Sequence, residues 1–126
     1  MQPVATITGN MAQAIGTTKY IRHFSRQLVF TDGIEQLRED ADCHWLVDAI
    51  ASHQVKHKHR PFQVWELEVK PDNSAVLTMK EDTGWPVLVR QEIKYTDFPL
   101  SEITLWVEEG YVDGGSCPVL LLPNEH

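Results

Sequence analysis

The sequence predicts an α+β fold in which N-terminal helices pack on one face of a four- to five-stranded antiparallel meander. Three observations carry this reading. Across residues 32–53, Ile34, Leu37, Ala41, Trp45 and Ala49 recur at helical spacing. Across residues 87–95, Val87, Val89, Gln91, Ile93 and Tyr95 alternate with Leu88, Arg90, Glu92 and Lys94, a period of two. Short turn segments, Pro71-Asp72-Asn73-Ser74 and Asp82-Thr83-Gly84, separate the strand-like runs of the second half, and connections that short join antiparallel neighbours. The 126 residues fit one domain with a single core, read as a helical half, 1–60, and a sheet half, 61–126.

The elements follow in order. Met11, Ala12, Ala14 and Ile15 within residues 10–16 suggest one or two helical turns closed by Gly16. Tyr20, Ile21, Phe24, Leu28, Val29 and Phe30 read as one or two short extended pieces running into Thr31-Asp32-Gly33. With Asp32 as N-cap, Glu35 stands at the third helical position and completes a capping box. The helix from 32 to 53 has Asp42 as a second candidate N-cap, which marks a place for a break. Pro61 stops any helix, and the apolar phase then switches between Phe62 and Val64 on one side and Trp65, Leu67 and Val69 on the other. That switch predicts a bulge, or burial on both faces, at the start of the first long strand. Residues 75–80, 87–95 and the Ile103, Leu105, Val107 series supply three more strands. Residues 110–115 read as a loop before a fifth strand at Val119–Leu122.

Composition narrows the class of protein. The net charge of -7 is uneven, with residues 1–60 at +1 and residues 61–126 at -8. A duplex across the second half would meet a repulsive field, so nucleic acid is not the expected partner. Residues 1–18 hold no Lys or Arg and no long apolar run, so a signal peptide is not expected, and neither is a membrane span. The expectation is a cytoplasmic protein. Cys43 and Cys117 lack the C-x-x-C spacing of a zinc or redox site and read as small buried residues.

Phe30-Thr31-Asp32-Gly33, Trp45-Leu46-Val47-Asp48-Ala49-Ile50, Phe62-Gln63-Val64-Trp65-Glu66-Leu67, Tyr95-Thr96-Asp97-Phe98-Pro99-Leu100 and Leu120-Leu121-Leu122-Pro123-Asn124-Glu125 together are similar to another set of sequences. From about residue 20 onward the chain resembles a family of small bacterial proteins, frequent in cyanobacteria and on mobile elements, classed as a domain of unknown function. The resemblance implies a single intracellular domain and assigns no activity to any residue.

The most site-like segment is His53–Arg60, where His53, His57 and His59 are interleaved with Lys56, Lys58 and Arg60. His53 and His57 are one helical turn apart, as a metal pair requires, with His59 as a third nitrogen. Against a metal stand the three cations among the ligands and the lack of a nearby carboxylate, so no metal is expected. Cationic residues at a helix C-terminus are favoured by the macrodipole alone. A third use of the same residues, helped by Lys19, Arg22, His23 and Arg26, is to bind an anionic partner. Cys43, His44 and Asp48 have the residue types of a thiol nucleophile, base and orienter. Adjacent residues on a helix diverge by about 100°, so the reading is a buried Cys43 and a surface His44 paired with Asp48. Trp85, at a turn, is expected to fold onto Pro86 or the core, with exposure as a contact residue the alternative.

No G-x-G-x-x-G, Walker, H-E-x-x-H or G-x-S-x-G pattern occurs, so neither a cofactor nor a catalytic residue is assigned. The leading expectation is a non-enzymatic protein-interaction module with polarised charge, self-associating as a homodimer and recognising a protein partner. The alternative is a metal-dependent or hydrolytic enzyme centred on His53, His57 and His59. The binding residues expected are His53, Lys56, His57, Lys58, His59, Arg60 and Trp85.

Overall fold

The computed structural model describes residues 1–14, 16 and 19–126; Ile15, placed by its sequence in the first helix, lies outside them. The elements run α1 (Val4–Gln13), β1 (Tyr20–Arg22), β2 (Val29–Thr31), α2 (Asp32–Ala41), α3 (His44–His57), β3 (Phe62–Val69), β4 (Ala75–Lys80), β5 (Val87–Ile93), β6 (Glu102–Val112) and β7 (Gly115–Leu121). A short 3₁₀ turn, Pro123–Glu125, follows.

The α+β class holds, but the sheet is larger than a meander. Among the described residues it has seven strands in the order β1-β2-β7-β6-β3-β4-β5. Its one parallel pair is β2 with β7, where Val29 faces Val119 and Phe30 faces Leu120. The helical half thus contributes two strands, and the division at residue 60 is not a boundary between layers. Both are the short extended pieces expected between Tyr20 and Phe30, three residues each, but β2 pairs with residues some ninety positions away, a meeting that no local pattern reveals. The route from β2 to β3 is a crossover through α2 and α3, which places those helices over the sheet.

Local chemistry explains where the helices begin and end. Thr31, not Asp32, caps α2, its hydroxyl accepting from the Ile34 N–H at 3.2 Å. Glu35 therefore does not close a capping box on Asp32; it pairs with Arg38 at 2.9 Å. Asp42 breaks the long helix in the left-handed region at φ 49°, a conformation that Asp tolerates better than most residues, and α3 restarts at His44. The first helix starts earlier than predicted, at Val4, and is capped at Ala14 instead of Gly16.

The core lies between α2, α3 and one face of the sheet, with Trp65, Leu67, Leu77, Met79, Leu105 and Val107 pointing towards Ile34, Leu37, Leu46 and Ile50. Gln63, Val64 and Trp65 are all buried, so the start of β3 is covered on both faces. The register irregularity lies instead between Met79 and Lys80, where β4 meets β5. Residues 110–115 are not a loop. The strands β6 and β7 continue to a tight Asp113-Gly114 turn with φ of 53° and 81°, the two positive values that a type I′ hairpin needs.

The C-terminus is tied back across the sheet. Glu125 accepts from the Thr31 hydroxyl at 2.6 Å and from the Leu122 N–H at 2.9 Å. A Cβ on Gly33 would stand 2.6 Å from the same carboxyl, so a larger residue there must displace Glu125 from its two bonds. Cys43 is buried, and burial pushes its thiol up to about 12; Cys117 is only half-buried.

Candidate functional site

The His53–Arg60 cluster stays together at the C-terminal end of α3, and several of its side chains have partners within the fold. The His53 ring packs near Trp65, centroids 5.6 Å apart, with Nε2 2.8 Å from Gln91 Oε1. His57 Nδ1 accepts from Arg60 Nε at 3.0 Å, and Arg60 also pairs with Glu81 at 3.0 Å. Desolvation, followed by the charges of Arg60, His53, His59 and Lys56, holds His57 below the ordinary imidazole value. Lys56, Lys58 and His59 are exposed. No group of three or more His, Cys, Asp or Glu able to hold a metal ion occurs among the described residues. Trp85 does not fold onto the core; it is exposed at the turn between β4 and β5.

Beneath this segment lies a buried amide network that the sequence reading passed over. Gln54 and Gln63 bond reciprocally at 2.8 and 2.9 Å. Gln63 also donates to the His57 carbonyl at 3.1 Å and accepts from the Trp65 indole at 2.9 Å. The network fixes the end of α3 against β3.

A second constellation forms at the other end of α3. The hairpin between β1 and β2 is closed by His23 N–H donating to the Leu28 carbonyl at 3.0 Å, with Arg26 in the left-handed region at φ 64°. Its tip turns the His23 ring inward to near-complete burial. Nδ1 accepts from the Ser25 N–H at 3.1 Å and stands 2.7 Å from the Ser25 hydroxyl. With a donor facing Nδ1, the ring proton of the neutral imidazole sits on Nε2, which donates to Asp48 Oδ1 at 2.6 Å. Asp48 is thus paired with His23, not with His44, which is exposed on the first turn of α3.

Serine, histidine and aspartate in a row have the residue types of a hydrolase triad. The openings run the other way. The Asp48 carboxylate is 45% exposed and lines an open groove of about 780 Å³, whereas His23 is 2% exposed and neither it nor Ser25 lines that groove. A reacting carbonyl would have to sit beside Ser25, so the arrangement suits a braced carboxylate better than a nucleophile.

The groove runs between α3 and the end of β5. Trp45, Asp48 and Ala49 form one wall, and Gln91, Ile93, Tyr95 and Asp97 the other. The segment after β5 is pinned by Thr96, whose N–H donates to the Asn73 carbonyl at 2.8 Å and whose hydroxyl accepts from the Phe98 N–H at 3.1 Å. Phe98 is buried in the core, while Tyr95 projects outward. Glu92, also at the groove, is paired with Arg90 at 3.0 Å, which leaves Asp48 and Asp97 to set its negative character. Of the residues here the sequence singled out Asp48, with the wrong partner, and His23, as a helper in binding an anion and not as the partner of Asp48. A signal for His23 existed, since it shares parity with the half-buried Ile21 and so falls on the inward face of the hairpin.

Fold and groove define a small α+β protein built around a seven-stranded mixed sheet, with an acidic, aromatic-walled groove at one edge. The chain belongs to DUF6876, a family of unknown function, which it matches over residues 5–126. No curated protein and no solved structure matches it. No helix among the described residues is long and apolar enough to cross a membrane.

Proposed function

We propose that this chain is a non-enzymatic interaction module whose groove between α3 and β5 takes a cationic group, a lysine or arginine side chain of a basic protein partner. The observation that carries the reading is Asp48: its carboxylate is held from the buried side by His23 and opens into a groove walled by Trp45 and Tyr95. A fixed carboxylate beside aromatic faces is the chemistry that recognises an ammonium or guanidinium group. The net charge of -7 would steer a basic partner towards the chain. What favours binding over hydrolysis is the direction of the Ser25-His23-Asp48 row, which presents the carboxylate to the groove.

Titration of the ¹⁵N-labelled chain with a short arginine- and lysine-containing peptide tests this. The Trp45 indole and the amides of residues 91–97 shift, and Asp48→Asn and Tyr95→Ala each weaken binding about tenfold or more. Shifts confined to another surface, or undiminished affinity in Asp48→Asn, sink the reading.

A further inference from the structure

The free edge of the sheet carries a second kind of information. β5 is the last strand in the sheet order and pairs with β4 alone among the described residues, so its outer edge offers unpaired backbone donors and acceptors. The edge is apolar as well as open: Trp85, Val87 and Leu88 are exposed at its start and Tyr95 just beyond its end. Such an edge adds a further strand readily, and its side chains say which strand fits.

Read outward from Gln91, the strand is self-complementary over its first two steps. Arg90 and Glu92 flank Gln91, Val89 and Ile93 come next, then Leu88 and Lys94. In an antiparallel pair, residues directly opposite lie on the same face, so two copies of β5 can meet about a two-fold axis only through a residue, never between two. Axes at Arg90 or at Glu92 bring that residue against its own copy, like charge on like charge. An axis at Gln91 places Arg90 of each copy opposite Glu92 of the other and Val89 opposite Ile93. In the single chain Arg90 and Glu92 satisfy each other along the strand at 3.0 Å, both largely exposed, and either can exchange its partner for the identical group across the axis.

We infer that the protein forms a homodimer by antiparallel pairing of β5 with β5 of a second copy about a two-fold axis at Gln91, making one continuous sheet. Because the paired residues share faces, both sets of helices lie on the same side of that sheet. The two grooves then flank a floor of two β5 strands. The pairing does not rest on the ligand proposed for the groove, and Asp48→Asn leaves it intact.

Charge reversal tests the register. Sedimentation equilibrium of the full chain shows a dimer at micromolar concentration. Arg90→Glu alone and Glu92→Arg alone each put like charges opposite twice, and each weakens dimerisation about tenfold or more with unchanged circular dichroism. An equimolar mixture of the two single variants forms a heterodimer of native affinity, since two carboxylates on one strand then meet two guanidinium groups on the other. The double variant R90E/E92R regains a homodimer. A native chain that stays monomeric overturns the proposal and leaves the charged residues as guards of an unpaired edge. Single variants that dimerise like the native chain, or a mixture that fails to recover, overturn this interface whatever the groove binds.

Discussion

His23 Nε2 lies 2.6 Å from Asp48 Oδ1, a single bond that ties the β1–β2 hairpin to the N-terminal part of α3. The hairpin also pairs with the sheet through β2, whose pairing with β7 spans two registered residue pairs, and Arg22 of β1 reaches Asp113 at 3.6 Å. The bond thus has two roles, fixing a short edge element and aiming a carboxylate into the groove.

The two roles separate by substitution. Asp48→Ala leaves the buried imidazole N–H without its acceptor and lowers stability by about 1–2 kcal/mol, read as a lower urea midpoint at constant slope. Asp48→Asn keeps an oxygen that accepts the same bond, so its stability loss is smaller while cation binding falls. Equal loss of stability in both variants would contradict an acceptor role for the side chain.

The Gln54–Gln63 pair gives a sharper stability prediction. Gln63→Leu removes the partner of a buried amide and of the Trp65 indole N–H together, and costs about 3 kcal/mol. Gln54→Leu leaves the indole bonded to Gln63 and costs less. Denaturant unfolding of both, with the double variant closing a thermodynamic cycle, shows the two residues strongly coupled; additive losses would mean that the network is not a unit.

His57 titrates below the ordinary value of about 6.5, first because it is desolvated and next because Arg60 and its other neighbours repel a proton. A folded value below the unfolded one means that the unfolded chain binds the proton more tightly. The contribution of His57 is therefore complete above 6.5 and is lost as pH falls through the folded value. Two-dimensional NMR of the ring Cε1–H resonance reads the titration directly. Arg60→Ala moves the midpoint up towards 6.5, and an unmoved midpoint would assign the shift to other causes.

Much of the fold was legible because its signals are local. The two-residue alternation of β5, the stop at Pro61 and the break at Asp42 each depend on a few neighbouring residues, and the structure bears them out. The Asp113-Gly114 hairpin was equally local and was misread as the edge of a longer loop, since Gly110 looked like a boundary when it is a close-packed strand position against Val119. The His53–Arg60 cluster drew attention for its composition, yet its histidines bond to Gln91 and Arg60, partners that spacing along one helix does not select.

By itself the sequence determined an α+β class, the main helices and strands, the uneven charge and the period-two pattern of β5. Periodicity and charge are properties of a segment and survive without tertiary contacts. Only the tertiary structure decided that β2 pairs with β7, that His23 and not His44 holds Asp48, and that β5 rather than a central strand lies at the edge. Each of those is a meeting of residues distant in the chain. Short strands and single side chains carry too little pattern to specify such meetings, and burial of the shared core selects them.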